Sequence, residues 1–262
     1  SYLKALLLSG GYGNRLSPLT DVLPKCLMPI RSKPLLEIWI DQLLELGVEQ
    51  ILVNTHYLSE QVIEFLGRKK FKDKVHWVYE KKLLGTAGTL IENIEFFGDS
   101  DVFLAHADNF CTAKLQDFYQ AHINRPECCV MTMMSFQTSN PKSCGILELE
   151  NNILVNFYEK VENPPSNCAN GAVYLLSSDL LSWLKKEENI TDFSIEVIPK
   201  LLNKIQVWEN TNDHIDIGTI NNLLSTQNIA VESHKHDMSF DEWENSYKDH
   251  KIHALIKELQ ND

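Results

Sequence analysis

The chain has 262 residues, 44% apolar and 23% charged, with a formal net charge of −12. That length suits one large α/β domain, or a domain with an appendage, of ordinary globular composition. The charge excludes a surface that coats nucleic acid, which needs clustered Lys and Arg, but leaves room for a phosphate ligand in a local cationic pocket.

No run approaches the roughly 20 apolar residues of a membrane span. The opening stretch 3–8 is too short for a signal-peptide core. Cysteines stand at 26, 111, 128, 129, 144 and 168 without a CxxC pair. They read as reduced thiols of a cytoplasmic protein.

Residues 2–8 form a short apolar run ending in Ser9-Gly10-Gly11, which predicts a buried strand, closed by Leu8, entering a glycine loop. Apolar positions within 34–46 fit a helix face stopped by Gly47. A strand at 51–53, a helix at 58–66, a strand at 75–79, a helix at 86–97, a strand at 102–107 and a helix at 115–123 follow. Such alternation predicts parallel strands with crossover helices on both faces. Next come strands at 130–136, 145–150, 153–158 and 171–176, with Asn151-Asn152 as a hairpin signal. Helices near 180–184 and 195–202 precede short strands at 205–208 and 214–217. The expected fold is a three-layer α/β/α, doubly wound and mostly parallel sheet with an antiparallel elaboration. From 228 the chain turns polar, with apolar residues at Phe240, Trp243, Tyr247, Ile252, Leu255, Ile256 and Leu259, spaced for one or two amphipathic helices. They pack on the body or serve self-association in a homo-oligomer. His234, His236, His250 and His253 lack carboxylates at metal spacing.

The strongest signal is Gly10-Gly11-Tyr12-Gly13-Asn14-Arg15-Leu16, then Pro18-Leu19-Thr20 and Pro24-Lys25. Glycines after a first strand let backbone approach a ligand and leave N–H groups for phosphate oxygens. The prolines keep the segment a loop, unlike the dinucleotide fingerprint, and no Gly-Lys-Ser/Thr follows as in a Walker loop. Arg15 and Lys25 have little apolar reason to stand there and can reach a triphosphate.

This run resembles the GGxGxRLxPLTxxxPK signature of the nucleotidyltransferases that make nucleoside diphosphate sugars, and the likeness extends over about residues 3–224. It implies a nucleotide-binding sheet with a sugar-binding half, expected as a nucleotidyltransferase domain over 1–227, while the amphipathic spacing beyond it is expected as a helical appendage over 228–262. Arg15 then clamps the leaving pyrophosphate and Lys25 contacts the phosphates, with Leu8, Gly10, Gly11, Gly13 and Asn14 lining the nucleotide.

A second match is Glu80-Lys81-Lys82-Leu83-Leu84-Gly85-Thr86-Ala87-Gly88, which resembles the E-x-x-PLGTAG segment of guanylyltransferases and some uridylyltransferases. Gly85 and Thr86 would lie against the base, and Glu80 would read its edge. A carboxylate only accepts hydrogen bonds, which suits guanine, tolerates uracil or thymine, and opposes cytosine and adenine.

Asp108, after a strand, and Asp216, in His214-Ile215-Asp216-Ile217-Gly218-Thr219, resemble the family's metal aspartates. The implied cofactor is Mg²⁺, which favours carboxylates together with substrate phosphates. Glu159-Lys160 resembles the E-K-P segment, implying Glu159 on sugar hydroxyls and Lys160 on the sugar phosphate. Gly145 and Asn170 resemble the glycine over which the sugar passes and a sugar contact.

The resemblance implies a nucleoside triphosphate, GTP first, and a sugar 1-phosphate of mannose or manno-heptose type as substrates. The alternatives are a uridylyl- or thymidylyltransferase, a non-catalytic regulatory relative, and a cytidylyltransferase for a phosphate such as phosphocholine. Ala107-Asp108-Asn109-Phe110 resembles a run of the last class, which lacks the GTAG segment.

Overall fold

A computed structural model describes residues 2–229 and 241–262, so Phe240 and His234-Lys235-His236 lie outside the described residues. The strands are β1 (Leu3–Leu8), β2 (Pro29–Ile30), β3 (Lys33–Pro34), β4 (Gln50–Thr55), β5 (Val75–Tyr79), β6 (Asp101–His106) and β7 (Asn109–Cys111). They continue as β8 (Met131–Gln137), β9 (Gly145–Glu150), β10 (Ile153–Glu159), β11 (Cys168–Leu176), β12 (Ile205–Glu209) and β13 (His214–Asp216). The helices are α1 (Leu35–Leu46), α2 (Ser59–Leu66), α3 (Thr86–Glu92), α4 (Ile94–Phe97), α5 (Leu115–Ile123), α6 (Ser178–Leu184), α7 (Ile220–Thr226), α8 (Glu242–Lys248) and α9 (Ile252–Gln260). The class is α/β.

Packing divides the chain into two units. The first comprises Ser1–Leu6, Lys82–Ala105 and Thr112–His214. Its strands follow the order β6-β11-β8-β12-β10-β9. The sheet is mixed: β12 runs parallel to β8, while β11 is antiparallel to both β6 and β8, and β10 to both β9 and β12. Phe118 packs between Phe103 and Trp208, with ring centroids 6.1 and 5.4 Å away.

Two predicted helices are interrupted in this unit. The helix expected over 86–97 breaks at Asn93, whose side-chain amide donates to Thr89 O at 2.8 Å. Such local side-chain bonding competes with helix propagation. The helix expected over 195–202 is a π-helical turn, Phe193–Val197, followed by a 3-10 turn, Ile198–Leu201. Pro199 supplies no backbone N–H there.

The second unit comprises Leu7–Lys81, His106–Cys111 and Ile215–Asp262. Here β4 and β5 pair in parallel, with Ile51 opposite Val75 and Thr55 opposite Tyr79. Helix α1 follows the extended Pro34 and buries Leu35, Leu36, Ile38, Trp39, Ile40 and Leu43. It stops at Gly47 with φ +100°, a left-handed closure glycine adopts without cost. Among the described residues no helix is long and apolar enough to cross a membrane.

Candidate active site

The glycine loop leaves β1 in the second unit. Gly13 has φ +65°, and a Cβ there would stand 2.9 Å from Thr20 Cγ2. Backbone conformation and close approach both demand glycine. At Gly11 an added Cβ would meet nothing within 4 Å, so the loop backbone is open to a ligand.

Hydrogen bonds hold the loop to the polar run that ends β4. Ser9 N–H donates to Asn54 Oδ1 at 2.7 Å and Ser9 Oγ to Asn54 O at 2.6 Å. The Tyr57 hydroxyl donates to Thr20 O at 2.6 Å, and Thr20 Oγ1 donates to Gly13 O at 2.8 Å. His56 Nδ1 lies 2.7 Å from Glu80 O and must donate, because a carbonyl only accepts. In the neutral ring Nε2 then accepts from the Tyr12 hydroxyl at 2.8 Å. Sequence reasoning missed Tyr12, Thr20, Asn54, His56 and Tyr57 as loop supports. The polar run Asn54-Thr55-His56-Tyr57 behind an apolar strand was the available signal.

Four predicted residues converge in this unit. Lys25 Nζ is 2.7 Å from Asp108 Oδ2 and 4.0 Å from Asp216 Oδ1. A Cβ on Gly218 would lie 2.7 Å from Arg15 Nη2, 2.9 Å from Asp216 Oδ1 and 3.3 Å from Lys25 Nζ, so Arg15 reaches the same place. The two aspartates meet because Ile217 N–H donates to Asp108 O at 3.2 Å, beside the short β7–β13 ladder. Gly218 N–H donates to Asp216 Oδ1 at 2.8 Å, fixing that carboxylate. Burial raises the Asp108 carboxyl, but the Lys25 ammonium and His106 outweigh it and hold it below the usual carboxylate value.

Two carboxylates gathered round one ammonium are a donor set for a small hard cation. Among the described residues no cluster of three or more His, Cys, Asp or Glu could hold a metal. A cation held by Asp108 and Asp216 would therefore need further ligands such as substrate phosphates and water, a mixture that Mg²⁺ favours.

Glu80 is 5% exposed, and its Oε1 accepts from Asn54 Nδ2 at 3.2 Å. It is a buried, oriented carboxylate, not a surface residue. Leu8, Gly10 and Asn14 lie on the same β1–loop segment.

The remaining predicted residues belong to the first unit. Gly85 has φ +88°, and a Cβ there would be 2.4 Å from Thr191 O. That carbonyl accepts from Ala87 N–H at 2.8 Å and Gly88 N–H at 3.3 Å, while Thr86 Oγ1 accepts from Phe193 N–H at 2.8 Å. The small residues of this segment thus serve close packing on residues 191–193. Glu196 ties that turn down by accepting from Thr191 N, Thr191 Oγ1 and Asp192 N at 3.0–3.1 Å.

Gly145 faces Glu159 across the β9–β10 ladder, and a Cβ there would be 2.6 Å from Phe157 Cζ and 3.0 Å from Glu159 Oε2. Burial raises the Glu159 carboxyl, with Lys160 opposing the shift and Asp192 adding to it. Lys160 has φ +51°, and its exposed ammonium is 4.0 Å from Glu159 Oε1. Asn170 turns along its own strand: Nδ2 donates to Tyr174 Oη at 2.8 Å and Oδ1 accepts from Ala172 N–H at 2.9 Å. The β-bulge between Asn170 and Tyr174 allows this.

The sequence profile of the family described as Nucleotidyl transferase matches residues 4–233. The chain is 30% identical over 245 residues to a bifunctional sugar-1-phosphate nucleotidylyltransferase/acetyltransferase of Sulfurisphaera tokodaii, covering 88% of this chain and 56% of that protein. It is 28% identical over 237 residues to the mannose-1-phosphate guanylyltransferase catalytic subunit beta of Drosophila melanogaster, covering 88% and 63%. The chain thus spans about three fifths of the length of these curated relatives. In three dimensions it is similar to HddC from Yersinia pseudotuberculosis, solved with GMP-PN, at a TM-score of 0.71 and 20% identity over 87% of this chain and 98% of that one. At that identity the likeness speaks for the fold alone.

Proposed function

Because the chain belongs to the nucleotidyl transferase family, we propose that it joins a nucleoside triphosphate to a sugar 1-phosphate, releasing pyrophosphate in the cytoplasm. The observation that carries this reading is the meeting of Arg15, Lys25, Asp108 and Asp216 in one unit beside a glycine loop. An oxygen of the sugar phosphate attacks the α-phosphorus in line, and the bond to the α–β bridging oxygen breaks. Pyrophosphate leaves with that electron pair. The attacking phosphate is already anionic, so no protein base or nucleophile is needed. The obstacle is repulsion between two polyanions, and catalysis is positioning and charge neutralisation.

Arg15 steadies the departing pyrophosphate. Lys25 draws the phosphates to the reacting centre, with the glycine loop packed on it at Gly13. Asp108 and Asp216 would hold Mg²⁺, which when bound neutralises phosphate charge. Glu159 and Asn170 take sugar hydroxyls and Lys160 the sugar phosphate.

For the base we propose GTP, and for the sugar a mannose or manno-heptose type. A buried carboxylate at Glu80, held by Asn54, supports guanine, which can donate twice to one carboxylate. The name of the Drosophila relative agrees with it. The test is pyrophosphate release from each of five triphosphates against a panel of sugar 1-phosphates. Highest turnover with GTP and a manno-configured sugar is expected. Preference for CTP, with phosphocholine accepted, would overturn the reading.

A further inference from the structure

The carboxyl-terminal helices belong to the same unit as the proposed phosphate site. Asp241, the residue before α8, accepts from Arg68 Nε at 2.6 Å and Nη2 at 2.9 Å, a bidentate pair. Arg68 is 7% exposed, also bonds Glu37 Oε1 at 3.0 Å, and lies 4.7 Å over the Trp243 ring. That pins the start of α8.

Its far end is pinned by Tyr247. The Tyr247 ring is 5% exposed, stacks on Trp243 at 4.8 Å and meets the edge of His253 at 5.2 Å. His253 Nε2 lies 2.7 Å from Tyr247 O, joining α9 to α8. So held, the Tyr247 hydroxyl donates to Leu27 O at 2.5 Å. Leu27 closes the 3-10 turn Lys25–Leu27, in which Met28 N–H donates to Lys25 O at 3.1 Å. Lys25 is only 14% exposed along its side chain, so its ammonium follows its backbone.

We infer that α8 and α9 are a brace for the lysine turn, with Tyr247 the positioning residue that sets where the Lys25 ammonium stands. This rests on the role proposed for Lys25. The brace gives α8 and α9 a part in the reaction through Lys25.

The test is a double-mutant cycle of Tyr247→Phe and Lys25→Ala, scored by kcat, KM for the triphosphate and thermal unfolding. Tyr247→Phe keeps the ring and removes only the hydroxyl. Its kcat should fall about five- to tenfold, the rate equivalent of one hydrogen bond felt at the reacting centre, with KM and cooperative unfolding kept. In the Lys25→Ala background the same change should cost less than about twofold, because the group it positions is gone. An unchanged kcat in Tyr247→Phe, or an equal loss in both backgrounds, overturns the brace and leaves the role of Lys25 standing. Full activity in Lys25→Ala overturns the site reading and the brace with it.

Discussion

Gly218→Ala should separate activity from stability. No left-handed φ accompanies Gly218, so alanine fits its backbone. The added methyl would stand 2.7 Å from Arg15 Nη2 and 2.9 Å from Asp216 Oδ1, where ordinary contact begins at 3.4 Å. Each group must retreat by the difference, 0.7 and 0.5 Å. The guanidinium is the far end of a flexible, exposed side chain, so its retreat costs little folding energy. For the chemistry a shift of that size is large, since a misplacement of about 1 Å can cost on the order of 100-fold. The expected result is a fall in kcat of about 30- to 100-fold, with stability lowered by less than about 1 kcal/mol. Pyrophosphate release and urea unfolding measure the two. Wild-type turnover in Gly218→Ala would show that Arg15 and Asp216 do not act where they stand, and a collapse of stability would make Gly218 a packing glycine.

Asp108→Asn and Asp216→Asn should each cut turnover at least about 100-fold at saturating Mg²⁺, and excess chelator should silence the wild type; full activity with chelator refutes the metal role. The pH dependence has a definite sign: the Asp108 carboxyl is held below its ordinary 3.8, so its pairing with Lys25 stabilises the fold above that value and is lost as pH falls through the depressed one. The stability gap between wild type and Asp108→Asn should therefore hold constant from about pH 7 to 5 and close only below about 4, and a gap that closes near pH 6 contradicts the pairing. Glu80→Gln should erode the preference for GTP by about tenfold or more with metal dependence unchanged, since a hydrogen bond to a charged partner is lost; an unaltered preference assigns base choice to other groups.

Short-range physics made much of this chain legible. The opening apolar run, its glycines and its prolines announce a strand that enters a loop, and the structure folds that loop into 3-10 turns at Asn14–Leu16, Leu19–Asp21 and Lys25–Leu27. Gly47 ends α1 because glycine takes the left-handed backbone cheaply. Arg15 and Lys25 stood out because charged groups on a glycine loop have little packing reason to be there, and Asp108 and Asp216 stood out through their resemblance to the family's metal aspartates. What the sequence could not contain is their meeting. Asp108 and Asp216 come together where Ile217 N–H bonds Asp108 O beside the β7–β13 ladder, and a strand register is settled by the whole sheet. Tyr247 looked like one apolar position of an amphipathic tail, yet its hydroxyl reaches Leu27 O across 220 residues. Gly85 and Gly88 also pack on Thr191, a contact that no local signal in the segment Gly85-Thr86-Ala87-Gly88 announces. Local conformational preference is a property of neighbours along the chain. Which distant polar groups find each other depends on which buried donors and acceptors the finished core must satisfy.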